Sequence, residues 1–525
     1  MSAAAPGVLL GLDVGTTNVK AAAYTTDGRP VAVATRRLAV LRPRTDWTEY
    51  DPEALFGSAA AVLRTVIRDL GGVPVAGVAV ASMAETAVPV DGAGAPLAAA
   101  VAWHDQRSRP QAEWWRDEVG EEAVYRLTGL PILPIFGIHK LLWFREHAPQ
   151  AFARMRAWLN IADFIAYRLC GTQATDRSLA SRLMVLDLRT RAWSTELLAA
   201  CDVEPAVLPQ LVDSGERIGA VHRDGFEASG VPIGTPVAAG GHDHPCGAFA
   251  LGLVEPGDVM DSMGTSESIL SVVREPRLTR EMAISGYQQG IHVVPERCYC
   301  NGGLYTSGAA VEWLRTLIAP NEADAYAALQ ELAAEAPPGS GGVYFLPHLR
   351  LASPPHVDLD ARAAFLGMRS GTGRADLARA LFEGLAFEAQ ASLDGLLERM
   401  GLALKRVRAI GGGTRNALLM RIKAALLGRT IEVSSFEEAT SQGAAMLAGV
   451  GAGIYRDAAD ATLRVRPSFE RVDADAAWTE HYQRAYRGVY QQLYPAVQPL
   501  HRAARALEPE TPSEPPTVSD QETRP

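Results

Sequence analysis

Apolar and polar positions along the chain alternate in two rhythms. Short runs rich in Val, Leu, Ile and Ala, at residues 8–12, 19–24, 75–81, 236–239 and 407–410, predict strands, whereas 55–70 and 417–427 carry apolar residues at helical spacing. Strands interleaved with helices predict an α/β architecture. Residues 8–12 and 19–24, joined across the polar stretch 13–18, predict a hairpin with a Gly-Thr turn. A second strand at 259–263 runs into Gly264-Thr265-Ser266, echoing Val14-Gly15-Thr16-Thr17 about half a chain earlier, as a duplicated domain would. Glycines and Pro256 punctuate 250–257, which sets the expected domains at 1–252 and 253–495. Pro509, Pro512, Pro515 and Pro516 stand among acidic and hydroxyl residues with no aromatic anchor, so 496–525 is expected to be a disordered tail.

Composition narrows the function classes. With 525 residues, 48% of them hydrophobic, the chain fills two large globular domains. A net charge of -10 argues against nucleic acid as a partner, because backbone phosphates reward excess Lys and Arg. Five scattered cysteines in no metal-type spacing read as reduced thiols and predict a cytoplasmic protein. The most apolar region, 73–103, is broken by Glu85, Asp91 and several glycines, so no membrane segment is expected. A small-molecule enzyme fits this balance.

Four motifs carry candidate chemistry. In residues 11–20 (GLDVGTTNVK), a tight turn can aim N–H groups and the Thr16 and Thr17 hydroxyls at phosphate oxygens, with Lys20 adding charge. Asp13 at the strand end can hold Mg²⁺ through water; a plain hairpin turn with a capping aspartate is the alternative. The Gly264-Thr265 turn could clamp a polyphosphate from the other side, and no Walker lysine loop is present. The stretch Gly240-Gly241-His242-Asp243-His244 follows a strand, and Asp243 is the candidate base for an attacking alcohol. A zinc site competes there, but in an extended segment Asp243 would point away from His242 and His244. Residues 411–416 (GGGTRN) form a strand-to-helix turn able to admit a purine and ribose against bare backbone.

Together with Trp103-His104-Asp105-Gln106-Arg107, the 176–181 region, Leu346-Pro347-His348-Leu349 and residues 437–449, these motifs stand in the order found in the FGGY family of carbohydrate kinases, which the chain resembles from residue 8 to about 494. The resemblance implies two ribonuclease-H-like (actin-like ATPase) domains with a cleft between them, ATP and Mg²⁺ as cofactors, and a sugar or polyol as substrate. A homodimer is the family's common oligomer. It further implies Asp243 as catalytic base, Asp13 and Asp243 facing Mg²⁺, and Thr16, Thr17, Lys20, Gly264, Thr265, Gly308, Gly412 and Asn416 around the nucleotide. Glu85, Trp103, Asp105, Asp243 and His244 then serve the acceptor, with Trp103 and Arg107 equally readable as a core tryptophan and a salt-bridged arginine.

Glycerol kinases carry Arg-Glu-Thr where this chain has Ala84-Glu85-Thr86, and an aromatic residue where it has Ile135; xylulose kinases carry Met-His-Gly where it has Met83-Ala84-Glu85. The expected acceptor is therefore an open-chain ketose or sugar alcohol, phosphorylated at a terminal hydroxyl. A sugar-binding sensor without catalysis and an acceptor-free ATPase are the rival classes.

Overall fold

The computed structural model describes residues 7–318, 325–435 and 438–507; Glu437 and the tail residues 508–525 lie outside the described residues. Two twisted sheets organise it. The first contains β1 (Val8–Val14), β2 (Asn18–Tyr24), β3 (Pro30–Arg37), β4 (Val75–Ser82), β5 (Arg217–Ala220) and β6 (Pro236–His242), in the order β5-β6-β4-β1-β2-β3. The second contains β7 (Asp258–Met263), β8 (Glu267–Val273), β9 (Gln288–Ile291), β10 (Cys298–Leu304), β11 (Arg406–Ile410), β12 (Ile431–Ser434) and β13 (Phe469–Val472), in the order β9-β10-β8-β7-β11-β12-β13.

The internal repeat is visible as shared topology. In each sheet an antiparallel hairpin (β1-β2, β7-β8) is extended on one side by an antiparallel strand (β3, β10). On the other side stand two parallel strands (β4 and β6, β11 and β12) and then an antiparallel one (β5, β13). Parallel strands put their carboxyl ends on one edge, where ligands bind in open α/β sheets.

The helices that frame that edge are α1 (Pro52–Asp69), α2 (Asp243–Ala250), α3 (Gly308–Ile318), α4 (Ala417–Leu427) and α5 (Ala439–Gly451). Helix α1 starts where the Asp51 carboxylate accepts the Ala54 N–H at 2.7 Å, with Pro52 in the first turn. β1 is apolar on both faces because both are covered: Leu10 and Leu12 pack with Leu55 and Leu63 of α1, and Leu9 packs with Ala444 and Ala445 of α5. Gly11 permits that second contact, since a Cβ there would lie 1.8 Å from the Ser441 carbonyl oxygen. Helix α5 thus belongs by sequence to the second half yet packs on the first sheet.

Two expectations require correction. Residues 496–507 are not tail but continue the helix Gln491–Leu507, in which buried Tyr494 donates to the Asp358 carboxylate at 2.6 Å. Pro495 and Pro499 lie within this helix and disguise it in the sequence. β6 ends at His242, and Asp243 is the first residue of α2, so the alternation of an extended segment does not apply to His242, Asp243 and His244.

Candidate active site

The site is assembled from the turns that leave the carboxyl ends of β1, β4, β6, β7 and β11, and it consists of two adjoining cavities. The first, about 280 Å³, is lined from the first domain by Thr16, Ala84, Glu85, Trp103, Arg182 and Asp243, and from the second by Ser266, Glu267, Tyr299 and Asn301. The second, about 970 Å³, is lined by Gly264, Thr265, Ser307, Gly308, Gly412 and Asn416. One turn, 264–267, walls both: Ser266 and Glu267 face the smaller cavity, and Gly264 and Thr265 the larger.

In the smaller cavity Asp243 begins a helix, where unpaired N–H groups favour a carboxylate. Burial pushes its pKa up, but His244, the 3.1 Å contact from His242 Nε2, and the His244 N–H at 2.7 Å outweigh burial and hold it at about 2. His244 itself is pushed down, first by burial, against the pull of Asp243. On β1, Asp13 is pushed up to about 7, chiefly by burial and next by the charge of Asp243, with Lys20 opposing. The charge of Asp243 thus raises the cost of ionising Asp13, a cost that a nearby positive charge would lower.

Glu85 has a backbone φ of +61°, uncommon for a residue with a Cβ, and one of its carboxylate oxygens is held by Arg182 Nε at 2.6 Å. The Trp103 indole donates to Thr16 Oγ1 at 3.1 Å, so a residue expected to serve the acceptor holds one expected to serve phosphate. Lys140 donates to the Trp103 carbonyl at 3.3 Å and to the carbonyl of Ile135, and both of those residues line this cavity. Burial pushes the Lys140 pKa down to about 7.

Four of the expected residues line neither cavity: Asp13 on β1, and Asp105, Lys20 and Thr17. Asp105 is buried, accepts from the Thr48 N–H at 2.6 Å and holds Arg107 at 2.8 Å, so its carboxylate is spent on structure. Arg107 in turn meets Glu49 and lies over the Trp47 ring at 3.8 Å, matching the salt-bridge alternative for this motif. The Lys20 ammonium is taken by Glu438 at 2.9 Å and points into neither cavity, and Thr17 is exposed beside the turn.

In the larger cavity the amides of α3 bind the neighbouring turn. Gly308 N–H donates to the Gly264 carbonyl at 3.0 Å, and Ala309 N–H to that of Thr265 at 3.0 Å. A Cβ on Gly308 would sit 2.6 Å from the Gly264 oxygen, so this close approach requires glycine. Gly411, at φ +94°, fits against the Met263 carbonyl, whereas a Cβ on Gly412 would meet nothing within 4 Å, which leaves open space above the turn. Asn416 caps α4 by accepting the Leu419 N–H at 3.0 Å while also lining the cavity.

Arg182, Tyr299, Asn301 and Glu267 were not singled out by motif reasoning. The 176–181 motif ends one residue before Arg182, and the others lie on strands whose alternation reads as ordinary sheet.

Residues 8–250 match the model of the N-terminal domain of the FGGY family of carbohydrate kinases, and residues 259–452 match that of its C-terminal domain. The chain belongs to the FGGY family of carbohydrate kinases. FGGY relatives include a glycerol kinase of Gloeobacter violaceus, 32% identical over 91% of this chain and 96% of its own length. A xylulose kinase of Staphylococcus xylosus is 25% identical over 84% of this chain and 90% of its own. Among solved structures, the xylulose kinase from Rhodospirillum rubrum superposes with a TM-score of 0.87 at 30% identity, covering 94% of this chain and all (100%) of that one. The fold is accordingly the two-domain actin-like, ribonuclease-H-like architecture of the FGGY kinases, and the chain is a phosphotransferase of the carbohydrate-kinase class. Among the described residues no helix is long and apolar enough to cross a membrane.

Proposed function

We propose that this kinase transfers the terminal phosphoryl group of ATP to a terminal primary hydroxyl of a small open-chain ketose, a pentulose of the xylulose kind, or a related sugar alcohol. The observation that carries the reading is the shared 264–267 turn: a donor in the larger cavity and an acceptor in the smaller one meet at a single wall beside Asp243. Asp243, held at about 2, stays ionised throughout the neutral range. It therefore orients the acceptor hydroxyl and takes its proton late in the transfer, which suits a loose phosphoryl transition state. Attachment to phosphorus and loss of ADP balance in one in-line step, so no side chain need be phosphorylated.

Mg²⁺ fits the donor set on its chemistry. Asp13 and Asp243 supply two mutually repelling carboxylates, and no group of three or more His, Cys, Asp or Glu side chains among the described residues forms an all-protein metal cage. Mg²⁺ keeps several waters and binds through one or two carboxylates plus substrate phosphates, and when bound it neutralises charge on those phosphates. The residues assigned to hold it are Asp13 and Asp243.

The ketose or polyol preference rests on Ala84 and Ile135, which line the acceptor cavity where glycerol kinases carry an arginine and an aromatic residue. ADP release with Mg-ATP across pentuloses, hexuloses, tetritols, pentitols, glycerol and aldonates tests it. A pentulose or pentitol as the strongest acceptor is the expected result, and glycerol as the strongest would overturn the preference. Calorimetric sugar binding without ADP release from any member would favour the sensor class instead.

The nucleotide assignment has its own check. Gly308→Ala forces the Gly264 turn away from α3, because the clash is with a backbone oxygen. ATP affinity measured by calorimetry is expected to fall about 10- to 100-fold, the scale of an ångström-sized misplacement, with acceptor binding retained. Unchanged ATP affinity would remove Gly308 from the nucleotide site.

A further inference from the structure

Arg182 stands on a short 3-10 turn, Ser181–Leu183, that follows the helical turn Arg177–Ala180. This segment is bolted to the catalytic strand and to the second sheet. Ser178 Oγ accepts the His242 N–H at 2.9 Å, and Ser181 Oγ accepts the Ile291 N–H at 3.3 Å. The guanidinium lies 5.1 Å from the Phe136 ring centroid and lines the acceptor cavity with Glu85, Asp243 and His244. Both side chains of the Arg182–Glu85 pair are more than nine-tenths buried, at 8% and 7% exposure.

Burying such a pair costs desolvation that a hydrophobic pair of the same size avoids, so stability alone does not account for it. Its bonding to Glu85 is one-sided, and the guanidinium also faces the Tyr299 hydroxyl on the opposite wall of the cavity. Arg182 directs Nε and Nη2 to the same Glu85 oxygen, Oε1, although a guanidinium carries five N–H donors and a carboxylate two acceptor oxygens. Glu85 meets it from a left-handed backbone conformation, a strain of the kind that persists where surrounding structure enforces a functional geometry. The pair therefore presents a donor and an acceptor side by side, the complement of one C–OH group flanked by another oxygen.

Resting on the kinase reading above, we propose that Arg182, acting with Glu85, is the specificity-determining residue that reads an internal oxygen of the acceptor chain while Asp243 holds the terminal hydroxyl. Arg182 donates to that oxygen, a hydroxyl or a ketose carbonyl, and the unshared oxygen of Glu85 accepts from the neighbouring hydroxyl. The acceptor class is then a polyol or ketose longer than glycerol, with two oxygens beyond the one phosphorylated on a chain that carries stereocentres, and stereochemistry at those carbons decides the rate.

The test compares wild type with Arg182→Lys and with the double variant Glu85→Gln/Arg182→Met, which removes both charges and leaves neither uncompensated. The probes are D-xylulose, L-xylulose, D-ribulose, L-ribulose, xylitol and ribitol. Arg182→Lys keeps the charge but loses the planar fork. Its KM for the best acceptor is expected to rise about 10- to 100-fold, the scale of a lost charged hydrogen bond, with the ATP KM unchanged. The spread of kcat/KM across the six probes is expected to flatten in both variants. Retention of the wild-type spread and acceptor KM in Arg182→Lys overturns the assignment, as does a fall in melting temperature with discrimination intact, which would mark the pair as structural only. Wild type inactive on every probe would overturn the ketose reading together with this one, whereas active wild type with an indifferent Arg182→Lys overturns this one alone.

Discussion

Asp243→Asn is expected to slow phosphoryl transfer about 10²- to 10⁴-fold, the contribution of a positioned proton acceptor, with acceptor binding held within a few-fold. Asn keeps the size of the side chain and an oxygen that can still accept from the acceptor hydroxyl and from the His244 N–H, which now lies 2.7 Å from the carboxylate. It cannot take the proton. It also removes the negative charge that raises Asp13, so the pair of facing carboxylates is reduced to one. The loss should therefore appear in single-turnover rate rather than in acceptor affinity measured by calorimetry. ATP consumption equal to wild type would take Asp243 out of the base role.

Much of this arrangement was legible in the chain because it depends on local backbone chemistry. The β1-β2 and β7-β8 hairpins each announce themselves by a glycine and hydroxyl residues between two apolar runs, and the 411–416 turn by three glycines between a strand and an amphipathic helix. What escaped was set by tertiary contact. Arg182 becomes a cavity residue only because Ser178 and Ser181 fasten its turn to β6 and β9, partners 64 and 110 residues away. Asp105 carries the right chemistry for a substrate ligand, yet Arg107, two residues on, claims its carboxylate. Helix α5 reads as part of the second half, and only the missing side chain of Gly11 reveals why it can close on the first sheet. Lys423 reads as one polar position on an amphipathic helix and is instead almost fully buried.

That lysine supports the largest stability prediction. Its ammonium meets Asp261 at 2.5 Å and Glu267 at 2.7 Å, and the second Glu267 oxygen accepts from Ser307 at 2.9 Å, directly behind the turn shared by the two cavities. Burial drives Glu267 up to about 7, with Lys423 the main opposing influence. Lys423→Met would leave two carboxylates facing each other in the interior, and removing one partner of a buried charge cluster costs about 3–5 kcal/mol. Urea unfolding should show a lower midpoint of that order. The deficit should depend on pH with a definite sign: without the lysine the folded-state pKa of Glu267 rises further above its unfolded value. The variant thus regains stability below the unfolded carboxylate range and loses it as pH rises through the folded-state value of Glu267. Adding Asp261→Asn and Glu267→Gln removes the uncompensated charge and should recover most of the loss at neutral pH. A Lys423→Met protein as stable as wild type at every pH would show that water or a local rearrangement satisfies the two acids, and that the cluster does not brace the turn.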